Sequence, residues 1–459
     1  MKLIVALSCS LILAACGSQS PGAAAAGNNP GGVLNDDAAL FAQATADYQA
    51  KRYSVSRGEF QDLLTRFSAS AYAEQSAVYV GIIDYFLGNP TAARGELRAF
   101  LQRAPDSADA DRAQYWLGRA EHALGDYSAA LADLELLLTR YPRSNYTDNT
   151  WLWIGRTEYS MQKYVEALSD FSRVVKDYAK GSAAPEAQYW VGRTLFQQAD
   201  YVGARTELAK QLTLYPGSAY ADAVSIYIGR TDFEQKSFDL AKTELAAVLK
   251  QYPASPLLDE ATYWLGRAVF DLLDYPGAKT HFMEVITTWP QSRIADNASY
   301  WIGRCLFAEL QFGPALTQFQ KTEADYPSTN VLDWIVLYAG RSHFELGAYP
   351  AALAAFERVL ASWPTLTSVP GAYYWRGRTR YAQASYAAAL PDFAIVYAQF
   401  KTSDWADNAC EYEARTQADL AQCSTARTTY DGCKIDFPAS TQLVPACAYL
   451  VTLCGGTCP

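Results

Sequence analysis

Apolar residues recur at spacings of three and four along most of the chain, with polar residues between them, which is the pattern of amphipathic α-helices. The helical segments come in pairs. In one pair the first segment ends at the turn Leu124-Gly125-Asp126, and the second ends before Pro142, which cannot continue a helix. The sequence therefore predicts hairpins of two helices, A and B, with a proline after helix B.

The hairpins repeat every 37 residues without an insertion. The most regular position is a small residue in helix A, and from the second copy onward an aromatic residue precedes it by two positions. The small residues are Ala44, Gly81, Gly118, Gly155, Gly192, Gly229, Gly266, Gly303, Gly340, Gly377 and Ala414. A fixed period of this length is the signature of a solenoid, in which each hairpin packs on its neighbours.

Each recurring residue has a structural reason. Gly118 in helix A and Ala130 in helix B are small, so the two helices can cross closely, and Leu134 fills the space beside the crossing. Ser144 follows the proline and is predicted to be the N-cap of the next helix A. Asp148 is then expected in the first turn of that helix, where an acid is favoured.

This pattern resembles the tetratricopeptide repeat, in which a small residue, an alanine and a proline follow one another at intervals of twelve. Gly118, Ala130 and Pro142 fit these positions, and Tyr127 fits the aromatic residue at the hairpin turn. The longer unit and its Tyr-Pro-x-Ser ending resemble the variant found in BamD-like and Tol-Pal-associated lipoproteins of the bacterial envelope. The resemblance covers roughly residues 38–452. It implies an all-α, right-handed superhelical solenoid of 37-residue hairpins.

The chain begins with a predicted lipoprotein signal peptide, residues 1–16. Lys2 precedes an apolar run over residues 3–13, which is too short to span a bilayer and is typical of a secretory signal. The following Leu-Ala-Ala-Cys resembles the bacterial lipobox, in which Cys16 becomes lipid-modified; the alternative is an ordinary signal peptide with an incidental cysteine. Gly17 favours the outer membrane, by analogy with enterobacterial sorting.

The remainder of the chain divides into three parts. Residues 17–37 are rich in Gly, Ala, Asn and Pro, carry almost no large apolar side chains, and are predicted to be a flexible linker. Residues 38–440 hold eleven repeats. Residues 441–459 are predicted to be a capping helix followed by a cysteine-rich tail.

Charge and histidine placement exclude several functions. The formal net charge of −10 argues against nucleic acid as a partner, which needs a basic surface, and against broad docking on an anionic membrane. The three histidines, His122, His281 and His343, lie at different repeat positions without a nucleophile or a metal-spaced partner. The sequence therefore predicts no catalytic residues, no metal and no cofactor.

Cysteines are concentrated at the C-terminal end. The candidates for disulfides are Cys410, Cys423, Cys433, Cys447, Cys454 and Cys458. Six cysteines in an exported chain favour disulfides, and Cys410 with Cys433 is the preferred pair because both occupy core positions of the last hairpin. A metal site is disfavoured, since the region has no histidine and no CxxC spacing. Cys305 stands alone and is predicted to be a buried small hydrophobe.

The most suggestive chemistry is an arginine directly after the small residue of helix A in nine copies. We call this set the arginine ladder: Arg119, Arg156, Arg193, Arg230, Arg267, Arg304, Arg341, Arg378 and Arg415. By the tetratricopeptide register it lies on the concave face, where it would bind an acidic partner.

The alternative is that each ladder arginine forms a salt bridge to an acid on helix B. Those acids are Asp133, Asp170, Glu207, Glu244 and Asp392. Three copies have His281, Gln318 or Ala355 in place of the acid and still keep the arginine. Arg267, Arg304 and Arg341 of these copies are therefore expected to be the most available to a partner. Both interpretations stay open at this point.

Together these features predict a non-catalytic lipoprotein of the bacterial outer membrane, lipid-anchored and facing the periplasm. Its repeats would bind envelope proteins or peptides as an interaction scaffold. The alternative is that an arginine and aromatic groove binds peptidoglycan or another acidic envelope polymer.

Overall fold

The computed structural model describes residues 36–455, and these residues form 23 α-helices and no β-strand. Odd-numbered helices up to α21 are helices A, even-numbered helices are helices B, and α23 follows the last hairpin. The prediction of an all-α chain of helical hairpins is confirmed. Cys16, Cys458 and the predicted signal peptide lie outside the described residues, as does all but the last part of the predicted linker.

The chain divides into two compact units, with the boundary between Ser237 and Phe238. The first unit holds α1 (Asp37–Gln49), α2 (Tyr53–Arg66), α3 (Ala73–Phe86), α4 (Pro90–Arg103), α5 (Ala110–Ala123), α6 (Tyr127–Arg140), α7 (Thr147–Ser160), α8 (Tyr164–Asp177), α9 (Ala184–Gln197), α10 (Tyr201–Leu214) and α11 (Ala221–Glu234).

The second unit begins with a helix B and ends with the extra helix. It holds α12 (Phe238–Gln251), α13 (Leu258–Asp271), α14 (Tyr275–Thr288), α15 (Ala295–Ala308), α16 (Phe312–Asp325), α17 (Leu332–Glu345), α18 (Tyr349–Ser362), α19 (Val369–Ala382), α20 (Tyr386–Gln399), α21 (Ala406–Asp419), α22 (Cys423–Asp436) and α23 (Leu443–Cys454). Among the described residues, no helix is both long enough and apolar enough for a bilayer span.

The two helices of each hairpin cross closely where the sequence places a glycine. A Cβ atom added at Gly118 would lie 2.6 Å from Leu134 Cγ, and one at Gly303 would lie 2.4 Å from Phe319 Cε1. Both distances are shorter than a normal carbon contact, so a larger residue would push the helices apart. The predicted reason for the small residue in helix A is confirmed.

A residue with left-handed backbone conformation ends each helix A at the hairpin turn. Gly125 has φ 78°, and its amide donates to the His122 carbonyl at 3.0 Å, as in a Schellman cap. The equivalent residues in two turns of the second unit are leucines, Leu273 with φ 65° and Leu310 with φ 60°. These leucines adopt a conformation that normally favours glycine.

The prediction that Ser144 is the N-cap of α7 is wrong. The helix begins at Thr147, after a turn in which the Ser144 amide donates to the Tyr141 carbonyl at 2.9 Å. This turn separates the serine from the helix, so its hydroxyl accepts from the Tyr146 amide and donates to Asp111 of the preceding helix A at 2.7 Å. The serine thus joins successive repeats. Asp148 lies in the first turn of α7 as predicted.

The same hydroxyl–carboxylate bond recurs between other repeats of both units. The pairs are Ser70 with Asp37, Ser107 with Glu74, Ser292 with Asp259, Thr329 with Asp296, and Ser440 with Asp407.

Disulfides hold the C-terminal end of the second unit. Cys410 of α21 is bonded to Cys433 of α22, and Cys423 of α22 is bonded to Cys454 of α23. Cys447 is also disulfide-bonded. Cys305 is a buried free thiol.

Candidate functional site

Each arginine of the ladder stacks against aromatic rings of two successive helices A. One ring lies three residues earlier in the same helix, where helical geometry brings it beside the arginine. For every member other than Arg230, the other is the equivalent ring of the next repeat; Arg230 lies against Phe196 and Tyr227 of the first unit. Arg119 Cζ lies 3.9 Å from the Trp116 ring centroid and 4.5 Å from that of Trp153. Arg156 Cζ in turn lies 3.9 Å from Trp153 and 5.3 Å from Trp190.

The second unit continues the same alternation. Arg304 Cζ lies 4.9 Å from Trp301 and 4.1 Å from Tyr338. Arg341 Cζ lies 4.4 Å from Tyr338 and 4.7 Å from Trp375. The other three members in this unit follow this rule, with Arg267 between Trp264 and Trp301, Arg378 between Trp375 and Tyr412, and Arg415 between Tyr412 and Tyr449.

The expectation of an open basic groove is wrong for the first unit. Its four ladder arginines are only 4–6% exposed, because the rings of neighbouring helices A cover them; they are Arg119, Arg156, Arg193 and Arg230. A partner cannot reach these guanidinium groups while the unit stays folded. The five ladder arginines of the second unit are half-buried.

The alternative role, a salt bridge to the helix-B acid, is contradicted for four of the five acids, which bind other groups. Asp133 accepts from Gln114 Nε2 at 2.7 Å, and Glu207 accepts from Gln188 Nε2 at 2.9 Å. The other two are Asp170, which is hydrogen-bonded to Glu158, and Asp392, which pairs with Arg376 and Arg380. The ladder arginines instead lie along the row of helices A.

Two ladder arginines form ion pairs with acids of helices A. Arg156 Nη1 lies 2.9 Å from Glu186 Oε1, and their side chains are only 4% and 13% exposed. Glu186 also accepts from Trp190 Nε1 at 3.2 Å and from the Tyr220 hydroxyl at 2.7 Å. Arg415 Nη1 lies 2.9 Å from Glu411 Oε1, with the arginine side chain 22% exposed.

Three successive arginines of the second unit form no ion pair in the described part of the chain: Arg304, Arg341 and Arg378. We call them the unpaired arginines. Arg304 donates to the Tyr300 hydroxyl at 3.0 Å, and Arg378 donates to the Tyr374 hydroxyl at 2.8 Å. Burial, together with the positive charge of Arg304, lowers the pKa of Arg341 from its ordinary value.

The structure also contains carboxyl pairs that the sequence interpretation missed. Glu121 of α5 is hydrogen-bonded to Asp133 of α6, and Glu158 of α7 is hydrogen-bonded to Asp170 of α8. Burial and the facing carboxyl group raise the pKa of Glu121 and of Glu158 to about 8. The sequence showed acids at facing positions of helices A and B, but the helix-B acids were interpreted as salt-bridge partners of the arginine ladder.

His122 packs against the next repeat. His122 Nδ1 lies 3.0 Å from Thr157 Oγ1, and burial is the main reason why its pKa falls to about 3. It is therefore neutral and acts as a packing residue. Among residues 36–455, no group of three or more His, Cys, Asp or Glu side chains is placed to hold a metal ion.

Comparisons with known proteins identify the repeats. Residues 81–145 and 337–404 match the family described as Tetratricopeptide repeat, so the chain contains tetratricopeptide repeats. Residues 115–225 match the family described as Outer membrane lipoprotein. No curated protein matches the chain.

Similar solved structures include a tetratricopeptide repeat protein from Parabacteroides merdae. It is 16% identical, with 59% of this chain and 99% of that chain covered and a TM-score of 0.45. Another is yeast Tom70, which is 11% identical, with 91% of this chain and 95% of that chain covered and a TM-score of 0.44.

Proposed function

We propose that this tetratricopeptide-repeat protein is a non-catalytic scaffold that binds other proteins of the bacterial cell envelope. The observation that carries the proposal is the match of residues 115–225 to the outer membrane lipoprotein family, within a chain built of interaction repeats. Helical repeats supply long rows of exposed helix and turn residues, and they are used mainly for binding. The absence of a nucleophile–base pair in the sequence agrees with this role.

The proposed location is the periplasmic face of the outer membrane, with a lipid on Cys16. The lipobox-like sequence before Cys16 and the linker over residues 17–37 support it. A single acyl chain binds membranes only marginally, whereas several chains on one cysteine give stable anchoring. Replacing Cys16→Ser should therefore move the exported protein from the membrane fraction to the soluble periplasm. Unchanged membrane retention of the variant would contradict the anchor.

The scaffold role is tested by crosslinking in intact envelopes, followed by purification of the tagged protein and identification of attached polypeptides. We expect a discrete set of envelope proteins at defined crosslink positions on this chain. The matched control is the Cys16→Ser variant, which retains the repeats but loses the proposed position. Recovery of no polypeptide above that of an untagged strain would contradict the scaffold role.

A second candidate is binding of an acidic envelope polymer such as peptidoglycan. The unpaired arginines Arg304, Arg341 and Arg378 favour it, since they place positive charge without a carboxylate beside aromatic rings. Sedimentation of the purified protein with purified cell wall tests this candidate directly.

A further inference from the structure

We propose that Arg304, Arg341 and Arg378 bind carboxylate side chains on an extended acidic segment of a partner protein. The proposal rests on the proposed function, because it names the chemistry that the scaffold would recognise. It narrows the nine-membered ladder to the three half-buried members that lack an ion pair in the described part of the chain.

Unpaired charge is the first argument. Removing a guanidinium group from water without a carboxylate partner costs desolvation free energy. Binding of a carboxylate offsets that cost. Asp271 and Glu411 are close enough for the charges of Arg304 and Arg378 to lower their pKa, although burial still raises it overall. Neither acid forms an ion pair with those arginines. Arg341, in the middle, is influenced only by tyrosines and by another arginine.

The second argument concerns the direction of the free donors. Ring stacking covers the faces of a guanidinium, whereas its five N–H donors point outward in its own plane. Arg304 and Arg378 each give one of these donors to a tyrosine hydroxyl. Arg341 is likewise hydrogen-bonded to the side chain of Tyr338. Stacked and partly exposed, each group therefore retains in-plane donors that suit a carboxylate, which binds such a pair of N–H groups bidentately.

The spacing of the three groups favours a polypeptide. The Tyr338 centroid lies 4.1 Å from Arg304 Cζ and 4.4 Å from Arg341 Cζ, so these carbons are at most 8.5 Å apart. By the same reasoning through Trp375, at 4.7 and 5.3 Å, Arg341 and Arg378 are at most 10.0 Å apart. An extended chain advances about 3.3 Å per residue, and its side chains alternate between two faces, so acids at every second residue share a face and lie within these limits.

The experiment measures the anisotropy of a labelled peptide that has glutamate at every second position, with glycine or serine between and both ends blocked. The parent protein should bind it, and added sodium chloride should weaken the binding. The triple variant R304Q/R341Q/R378Q should bind at least about tenfold more weakly, because charge-assisted contacts are lost. The same peptide with glutamine in place of glutamate should not bind.

Two matched variants separate this site from the rest of the ladder. Arg119→Gln removes an arginine that also lacks an ion pair in the described part of the chain but is only 6% exposed. The double variant E411Q/R415Q removes a half-buried arginine together with its partner, so that no freed carboxylate is left beside Arg378. Both should bind the glutamate peptide as the parent does. The triple lysine variant R304K/R341K/R378K keeps the charge, and it should recover part of the affinity if the triple glutamine variant proves unstable.

The proposal is overturned if the parent fails to bind the glutamate peptide, or if the triple glutamine variant binds it equally well. Binding to purified cell wall that requires the three arginines, without binding to the peptide, would also overturn it in favour of an acidic glycan. Envelope crosslinking distinguishes the scaffold function from the arginine site. If the triple variant captures the same proteins as the parent, the scaffold function is supported and only the proposed arginine site is contradicted.

Discussion

The two units build the arginine ladder from the same spacing but expose it differently. In the first unit, Arg119, Arg156 and Arg193 lie closer to the ring of their own helix than to that of the next repeat. In the second unit the ring of the next repeat is closer for every arginine except Arg341. The first set is buried and the second is half-buried.

We propose that this one motif serves two purposes. A buried arginine between two rings gains cation–π energy that rises from about 0.5–1 kcal/mol at exposed sites to about 2 kcal/mol when desolvated. In the first unit this contact joins successive repeats. In the second unit the ladder residues are half-buried, and at Arg304, Arg341 and Arg378 the same contact orients the guanidinium group without an ion pair. We therefore assign stability to the first set and recognition to the unpaired arginines of the second.

The largest expected effect comes from replacing one arginine in each unit. Arg156→Gln leaves the 13% exposed Glu186 carboxylate without its cation, and removing one partner of a buried pair costs about 3–5 kcal/mol. Arg341→Gln removes stacking but also an uncompensated charge, so its cost should be about 1 kcal/mol or less. Urea unfolding followed by circular dichroism measures both values. Equal costs would contradict the division of roles between the units.

A pH change should act on the first unit through its carboxyl pairs. The folded Glu121 and Glu158 keep their protons up to a pKa of about 8, whereas an unfolded glutamate loses its proton near 4.5. Unfolding between these values therefore releases protons, and the free energy of unfolding falls as pH rises. Asp133 and Glu158 are partly exposed, and solvent screening there limits the effect to roughly 1 kcal/mol.

Hydrogen exchange of α7 and α8 at pH 5.5 and 8.5, corrected for intrinsic rates, measures this loss of protection. The control region is α15 and α16, where Leu306 and Gln318 occupy the equivalent positions. Helix α21 is left out of the comparison, because burial raises the pKa of its Glu413 to about 7. Asp170→Asn should flatten the dependence in α8; an unchanged slope in that variant would show that other groups titrate.

The sequence was sufficient for the hairpins and their crossing because these depend on local spacing. Periodicity located the helices, and the 37-residue step located Gly118 and its equivalents. Exposure of the ladder was not predictable in the same way, because it depends on how closely successive helices A approach and on which rings cover each guanidinium. The aromatic residue three positions before each arginine was visible, but its spacing alone did not show that it would cover the guanidinium group. Ser144 was mispredicted for a similar reason. Its hydroxyl forms a hydrogen bond with Asp111 of the preceding repeat, and the residue does not cap α7 as the local sequence predicts.

The smallest expected effect concerns the hairpin turns, where the second unit carries leucines in a left-handed conformation. Leu273 and Leu310 are 71% and 72% exposed, so replacing either with glycine removes little packing. Relief of the steric cost, about 1–2 kcal/mol for a residue with a Cβ, exceeds the entropy that glycine loses on folding, about 0.5–1 kcal/mol. Each variant should therefore be stabilised by several tenths of a kcal/mol, measured as a higher urea midpoint.

Two control variants test whether the backbone conformation at the turn determines the direction of the stability change. Gly125→Ala in the first unit places a Cβ at φ 78° and should destabilise the protein by up to about 1 kcal/mol. Leu346→Gly changes another exposed leucine, 50% exposed, whose φ of −84° is ordinary, so glycine brings mainly its entropy cost and lowers the midpoint. If Leu273→Gly and Leu346→Gly shift the midpoint in the same direction, backbone conformation does not decide the outcome at these turns. The exposed leucines of the second unit would then contribute to stability through packing that their exposure conceals.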